Sequence, residues 1–122
     1  MNTPVDFSTA KLLKEKGFDE PCYGGRYYNN GKEHVRRASK YVSISDSYVV
    51  LSPTIAEVVM WLYEKHGIWI IPSYELNIEN HKKEWFWIAI EDGEEIAYQY
   101  KDFSSPTEAY EAAIEYTLKN LI

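Results

Sequence analysis

The chain has 122 residues, 45% of them apolar, a net charge of −6 and one cysteine, Cys22. That length fits one domain, residues 1–122, with a core of its own. The acidic balance disfavours non-specific binding to phosphate backbones, and one thiol excludes an intrachain disulfide or a cysteine-rich metal site. No apolar run reaches the ~18 residues of a membrane span, and MNTPVDFSTAKLL lacks the basic and apolar regions of a signal peptide. The expectation is a cytoplasmic protein without a membrane contact.

The first predicted element is a helix over 8–16. Ser8 is a capping residue, and Phe7, Ala10 and Leu13 keep helical spacing. Gly17 follows as the C′ residue, with Phe18 folding back as the apolar partner of the cap. Residues 22–40, CYGGRYYNNGKEHVRRASK, are the least core-like part. Asn30-Gly31 suits a type I′ hairpin turn, which places Tyr28 opposite Glu33 and Tyr27 opposite His34. Residues 41–51, YVSISDSYVVL, hold one or two short strands.

Residues 52–70, SPTIAEVVMWLYEKHGIWI, carry the clearest helical signal. Ile55, Val58, Val59 and Leu62 recur at i, i+3, i+4 and i+7. Met60, Trp61 and Tyr63 widen the apolar sector, so a heavily buried helix is expected. Lys65 and His66 complement the macrodipole in its last turn, and Gly67 ends it. Its start has two frames. Either Ser52 caps with Pro53 at N1, or Thr54 caps and Glu57 closes a capping box.

Three strands follow. The first, 68–76, contains Pro72, which points to an edge position. The second, 84–91, is apolar on both faces and reads as central. Asp92-Gly93 is a second tight-turn signal. A two-residue turn there pairs Ala89 with Ile96, Trp87 with Tyr98 and Trp85 with Tyr100 on one face. It pairs Ile90 with Glu95, Ile88 with Ala97 and Phe86 with Gln99 on the other. The aromatic first face is the one that helices should cover. The last element is an amphipathic helix over 106–121. Ala109, Tyr110, Ala113, Ile114, Thr117, Leu118 and Leu121 face inward. Ser105 is its N-cap, with Pro106 at N1 and Glu108 at N3 completing a capping box. The order is that of an α+β fold: a mainly antiparallel sheet, made of a C-terminal three-stranded meander and an N-terminal hairpin, with about three helices on one face.

The chemistry-bearing residues do not assemble into a known motif. His34, His66 and His81 form no H-x-x-x-H pair. Glu91, Asp92, Glu94 and Glu95 crowd one turn without the spacing of a calcium loop. Gly24-Gly25 belongs to no phosphate-binding loop, and Cys22 has no fixed histidine beside it. No catalytic residue, cofactor or metal site is therefore assigned. Two surfaces are candidates. Lys32, Arg36, Arg37 and Lys40 beside Tyr27 and Tyr28 combine cations with aromatic rings, as single-stranded nucleic-acid sites do. Phe86, Ile88 and Ile90 form an apolar second face that needs cover from the N-terminal hairpin or from a second copy in a homodimer.

Three segments carry a resemblance: FSTAKLLKEKGFDEPC (7–22), SPTIAEVVMWLYEKHGIWI (52–70) and FSSPTEAYEAAIEYTLKNLI (103–122). They are similar to a family of short uncharacterised proteins of Bacteroides-type bacteria and their phages and mobile elements. In that family an "AKLLKEKGFDE" segment, a "PT…WLREKHGI" helix and a terminal "F-S-S/Y-x-E-A-x-E-A" helix recur in this order. Tyr63-Glu64 departs from the arginine that often follows the leucine there. The resemblance implies an accessory protein of phage or mobile-element type. The expected function is a small non-catalytic protein-interaction module with an unidentified protein partner and a tendency to self-associate. The alternatives are a nucleic-acid-associated accessory protein using residues 23–40, and an enzyme.

Overall fold

A computed structural model describes residues 3–20, 22, 26–28, 34–35 and 49–122, with only the backbone described at 26–28, 34–35, 49 and 101–102. The fold is α+β. In chain order the elements are α1 (Phe7–Glu15), β1 (Arg26–Tyr28), β2 (His34–Val35), β3 (Val49–Leu51), α2 (Ile55–His66), β4 (Ile68–Leu76), β5 (Lys83–Glu91), β6 (Glu94–Phe103) and α3 (Pro106–Asn120). Contacts group the chain into two compact units, Met1–Val58 with Leu118–Ile122, and Val59–Thr117. Each has its own antiparallel sheet, in the order β2-β1-β3 and β4-β5-β6.

In the first unit α1 begins one residue before the expected frame. Asp6, not Ser8, is the cap, and its Oδ1 accepts from Thr9 N at 2.8 Å. An anionic cap at Asp6 satisfies an orphan amide and also suits the positive end of the helix. The other end follows the sequence reading. Gly17 takes φ +91°, Phe18 N donates to Leu13 O at 2.9 Å and Gly17 N donates to Lys14 O at 3.2 Å. These are the two bonds of a Schellman motif. Leu13 and Phe18 are both buried. In the small sheet Tyr27 pairs with His34, as the two-residue turn requires, and β3 pairs with the other side of β1, Val50 opposite Tyr27. Asn30-Gly31 itself lies outside the described residues.

The chain before α1 forms a short ladder with the entry to α2. Val5 N donates to Pro53 O and Ile55 N to Thr3 O, each at 2.9 Å. This pairing decides between the two frames of SPT. Ser52 is fully buried, and its Oγ donates to Val5 O at 3.1 Å. Its hydroxyl is thus committed to the ladder, and Thr54 caps the helix. Glu57 N donates to Thr54 Oγ1 at 3.2 Å, and Thr54 N donates to Glu57 Oε1 at 2.9 Å. That reciprocal pair is a capping box.

In the second unit, Trp61 and Leu62 point inward, whereas Met60 and Tyr63 are exposed. The buried sector of α2 is therefore narrower than its composition suggests. Strand β4 has the expected bounds and lies at a sheet edge, where Pro72 costs no ladder bond. The β5–β6 turn is the tight one expected, with Asp92 at φ 52° and Gly93 at φ 79°. Glu91 pairs with Glu94 and Ile90 with Glu95.

Beyond that point the register differs from the arithmetic of the turn. A bulge at Ile96 makes Ala89 pair with Ala97, Ile88 with Tyr98 and Trp87 with Gln99, and a second shift, of two residues and so without a change of face, brings Trp85 opposite Phe103. One inserted residue moves every later side chain of β6 to the opposite face. Tyr98 and Tyr100 thus leave the Trp87 face. The physical reason lies at Trp87, which is fully buried and donates its indole Nε1–H to Gln99 Oε1 at 3.0 Å. A buried donor without a partner costs about 1–3 kcal/mol, and the bulged register is the one that gives this donor its acceptor.

The inner face of the meander is built from Ile68, Ile70, Trp87 and Ala89, all buried. Tyr116 of α3 meets the Trp87 ring at 5.4 Å. In α3, Ala109, Ala113, Ile114, Thr117 and Leu118 are buried, as the spacing predicts. Thr117 Oγ1 donates to Ala113 O at 2.7 Å, which satisfies its buried hydroxyl. Ser105 caps this helix by accepting from Glu108 N at 3.2 Å. Glu108 Oε2 returns to Ser104 N at 3.0 Å, one residue before the amide that a standard box would use.

Candidate functional site: the outer face of the meander

In an antiparallel sheet, paired residues share a face. The pairings Trp69↔Ile90, Ile71↔Ile88, Ser73↔Phe86 and Ile88↔Tyr98 therefore define one surface. Phe86, Ile88 and Ile90, the residues singled out in the sequence, all lie on it. Trp69, Ile71, Tyr98 and Tyr100 join them, and sequence reasoning did not place these four there. Trp69 carries a readable signal, because it alternates with Ile68 and Ile70 and makes β4 as two-sided as β5. Tyr98 and Tyr100 carry none without the bulge.

This face is open. Trp69 is 38% exposed, Tyr98 58% and Tyr100 59%, while Phe86, Ile88, Ile90 and Ile71 are half-buried. The rings are held by one another. Phe86 and Tyr100 are 4.5 Å apart, Tyr98 and Tyr100 5.0 Å, and Tyr63 of α2 meets Trp69 edge-on at 5.2 Å. Such spacings are those of favourable offset and edge-to-face pairs. The rings are thus positioned by their mutual contacts, which lowers the ordering cost of binding. Tyr63, Trp69, Tyr98 and Tyr100 together expose on the order of 450 Å², at ~220 Å² for each fully exposed aromatic side chain. That total falls in the range of the largest apolar patch on a typical monomer, which is often a functional surface.

The charged side chains that the paired strands place on this face are acidic, with Lys82 in the turn beside Glu84. Glu75 and Glu84 are direct cross-strand partners at one end, and Glu95 pairs with Ile90 at the other. Glu84 Oε1 accepts from Asn77 Nδ2 at 2.6 Å. Asn77 also organises the β4–β5 turn, its Oδ1 accepting from Glu79 N at 2.9 Å.

The other candidates are placed as follows. Tyr27 and Tyr28 lie in β1, while Lys32, Arg36, Arg37 and Lys40 lie outside the described residues. Cys22 is fully buried, whereas a nucleophilic thiolate needs access. His66 packs edge-on against Trp61 at 4.8 Å, and His81 is an exposed turn residue at φ 59°. Among the described residues no three His, Cys, Asp or Glu side chains converge as metal ligands. An open groove of ≈ 530 Å³ is lined by Asn80, Lys82, Lys83, Glu84, Trp85, Phe103 and Ser104. It holds one carboxylate, already bonded by Asn77, and neither His nor Cys. No helix among the described residues is long and apolar enough to cross a membrane. Comparison with protein-family models, with curated proteins and with solved structures finds no match to the chain.

Proposed function

We propose that this protein is a non-catalytic interaction module that docks another protein on the outer face of β4, β5 and β6. The observation that carries the reading is the row Trp69, Phe86, Tyr98 and Tyr100 on one sheet face, with Trp69, Tyr98 and Tyr100 open to solvent. Aromatic side chains of this kind are the usual anchors of protein interfaces. The acidic side chains on the face oppose a phosphate backbone. They also set like charges against each other when two copies stack face to face, which favours a different protein over a homodimer. The resemblance of its three segments to short phage and mobile-element proteins supports an accessory role in that setting.

The test compares proteins retained from a cell extract by the wild-type chain and by Tyr98→Ser/Tyr100→Ser, with thermal melting as the check on folding. Sedimentation of the isolated chain reports self-association in parallel. Partners kept by the wild type and lost by the folded variant are expected. Identical retention by the two, with no self-association through this face, would remove the reading.

A further inference from the structure

The outer face says more about its occupant than that it is a protein. Its strand ends carry Glu75 with Glu84 and Glu95, with Lys82 in the turn beside Glu84, and its middle is aromatic. Glu75 and Glu84 face each other directly across β4 and β5, and like charges so placed repel. Glu84 accepts from the Asn77 amide, and a cation arriving at this end relieves the remaining repulsion. Glu95 is exposed at the far end, opposite Ile90. Between them lie Phe86, Ile88, Tyr98 and Tyr100, with Trp69 alongside. Exposed Tyr and Trp faces attract guanidinium and ammonium groups, so the middle tolerates cations as well as apolar groups. Lys82, in the turn beside Glu84, is the cation described at this end, and it leaves the Glu75/Glu84 pair with a net negative charge.

The spacing is also fixed. From Glu84 to Ile90 along β5 is six residues, or about 20 Å at strand rise. An extended segment laid along this face covers the same distance in about six residues. We propose that the occupant is an extended segment of a partner protein with Arg or Lys at two positions six residues apart and apolar or small residues between them. The cations meet Glu75/Glu84 at one end and Glu95 at the other. The inner residues lie on the tyrosine pair. This rests on the reading of the outer face as the docking surface, and it adds the chemistry of the partner.

The probe is an end-capped peptide, Arg-Ser-Leu-Ser-Leu-Ser-Arg, titrated into the isotope-labelled full chain and followed by NMR. One control has Glu in place of both Arg, and a second has both Arg at the same end. Shifts at the Trp69 indole and at the Tyr98 and Tyr100 amides are expected with the first peptide, at about tenfold higher affinity than with the Glu control. Binding should weaken as salt rises, and Glu75→Lys/Glu95→Lys should weaken it about tenfold. If all three peptides shift this face equally and the charge reversal changes nothing, the basic segment is wrong while the docking face stands. If no peptide shifts this face, or if shifts persist unchanged in Tyr98→Ser/Tyr100→Ser, both fall.

Discussion

Replacing Gln99 by Leu tests the register that creates the outer face. Trp87 is fully buried, and its indole N–H has Gln99 Oε1 at 3.0 Å. Leucine is close in size but accepts no hydrogen bond. The substitution strands a buried donor, at a cost of about 1–3 kcal/mol. Gln99 is itself half-buried, so the apolar gain of leucine offsets only part of this. A net loss of about 1–2 kcal/mol in urea unfolding is expected. Cavity and volume effects are separated by a double-mutant cycle with Trp87→Phe. In that background the donor is gone, and Gln99→Leu should cost little or nothing. The coupling energy should therefore be about 1 kcal/mol or more. If Gln99→Leu costs the same with and without the Trp87 indole, the hydrogen bond does not select the register, and the explanation of the bulge is wrong.

Other consequences follow from the caps, the bulge and the titrating groups. Deleting Ile96 removes the extra residue while keeping Ala89 opposite Ala97 and Ile88 opposite Tyr98; stability should change by less than about 1 kcal/mol, and a collapse of folding would show that the bulge itself is required. Thr54→Ala and Ser105→Ala should each cost about 1 kcal/mol through a lost cap, read as a shift in urea midpoint; an unchanged midpoint in either would undo that assignment. Burial raises the Tyr110 phenol above its ordinary value. The fold therefore holds the proton more tightly than the unfolded chain, and this stabilisation is present below about pH 10 and lost as pH rises through the folded value. Tyr110→Phe should flatten the alkaline fall in melting temperature. Hydrogen bonds from the Ser104 side chain and then its backbone hold the Glu108 carboxyl below its ordinary value. Its contribution is present above about pH 4.3 and is lost as pH falls through the lower folded value, so Glu108→Gln should flatten the acid limb.

The legible parts of the fold are those where one local signal has no competitor. The spacing of Ala109, Ala113, Ile114 and Leu118 gives α3, and Asp92-Gly93 gives the second hairpin turn. Gly17 and Phe18 give the Schellman end of α1. Where two residues could do the same task, the partner that decides between them is distant in sequence. Ser52 and Thr54 are both capping residues, and Val5, far earlier in the chain, takes the Ser52 hydroxyl. The bulge at Ile96 is the same problem in a sheet. Strand β6 carries no glycine to mark it, and Ile96, Tyr98 and Tyr100 alternate cleanly enough to fit an unbroken ladder. Only the need of a buried Trp87 for an acceptor points to Gln99. The candidate site shared that fate. Phe86, Ile88 and Ile90 were readable from the two-sided apolarity of β5, whereas Tyr98 and Tyr100 reach the same face only through the bulge.

Hydroxyl-radical footprinting of the isolated full chain, read ring by ring, tests the account most directly. Tyr98, Tyr100 and Trp69 should oxidise fast and Trp87 slowly, in line with exposures of 58%, 59%, 38% and 0%. If Tyr98 and Tyr100 react as slowly as Trp87, they lie on the covered face and the open aromatic surface does not exist.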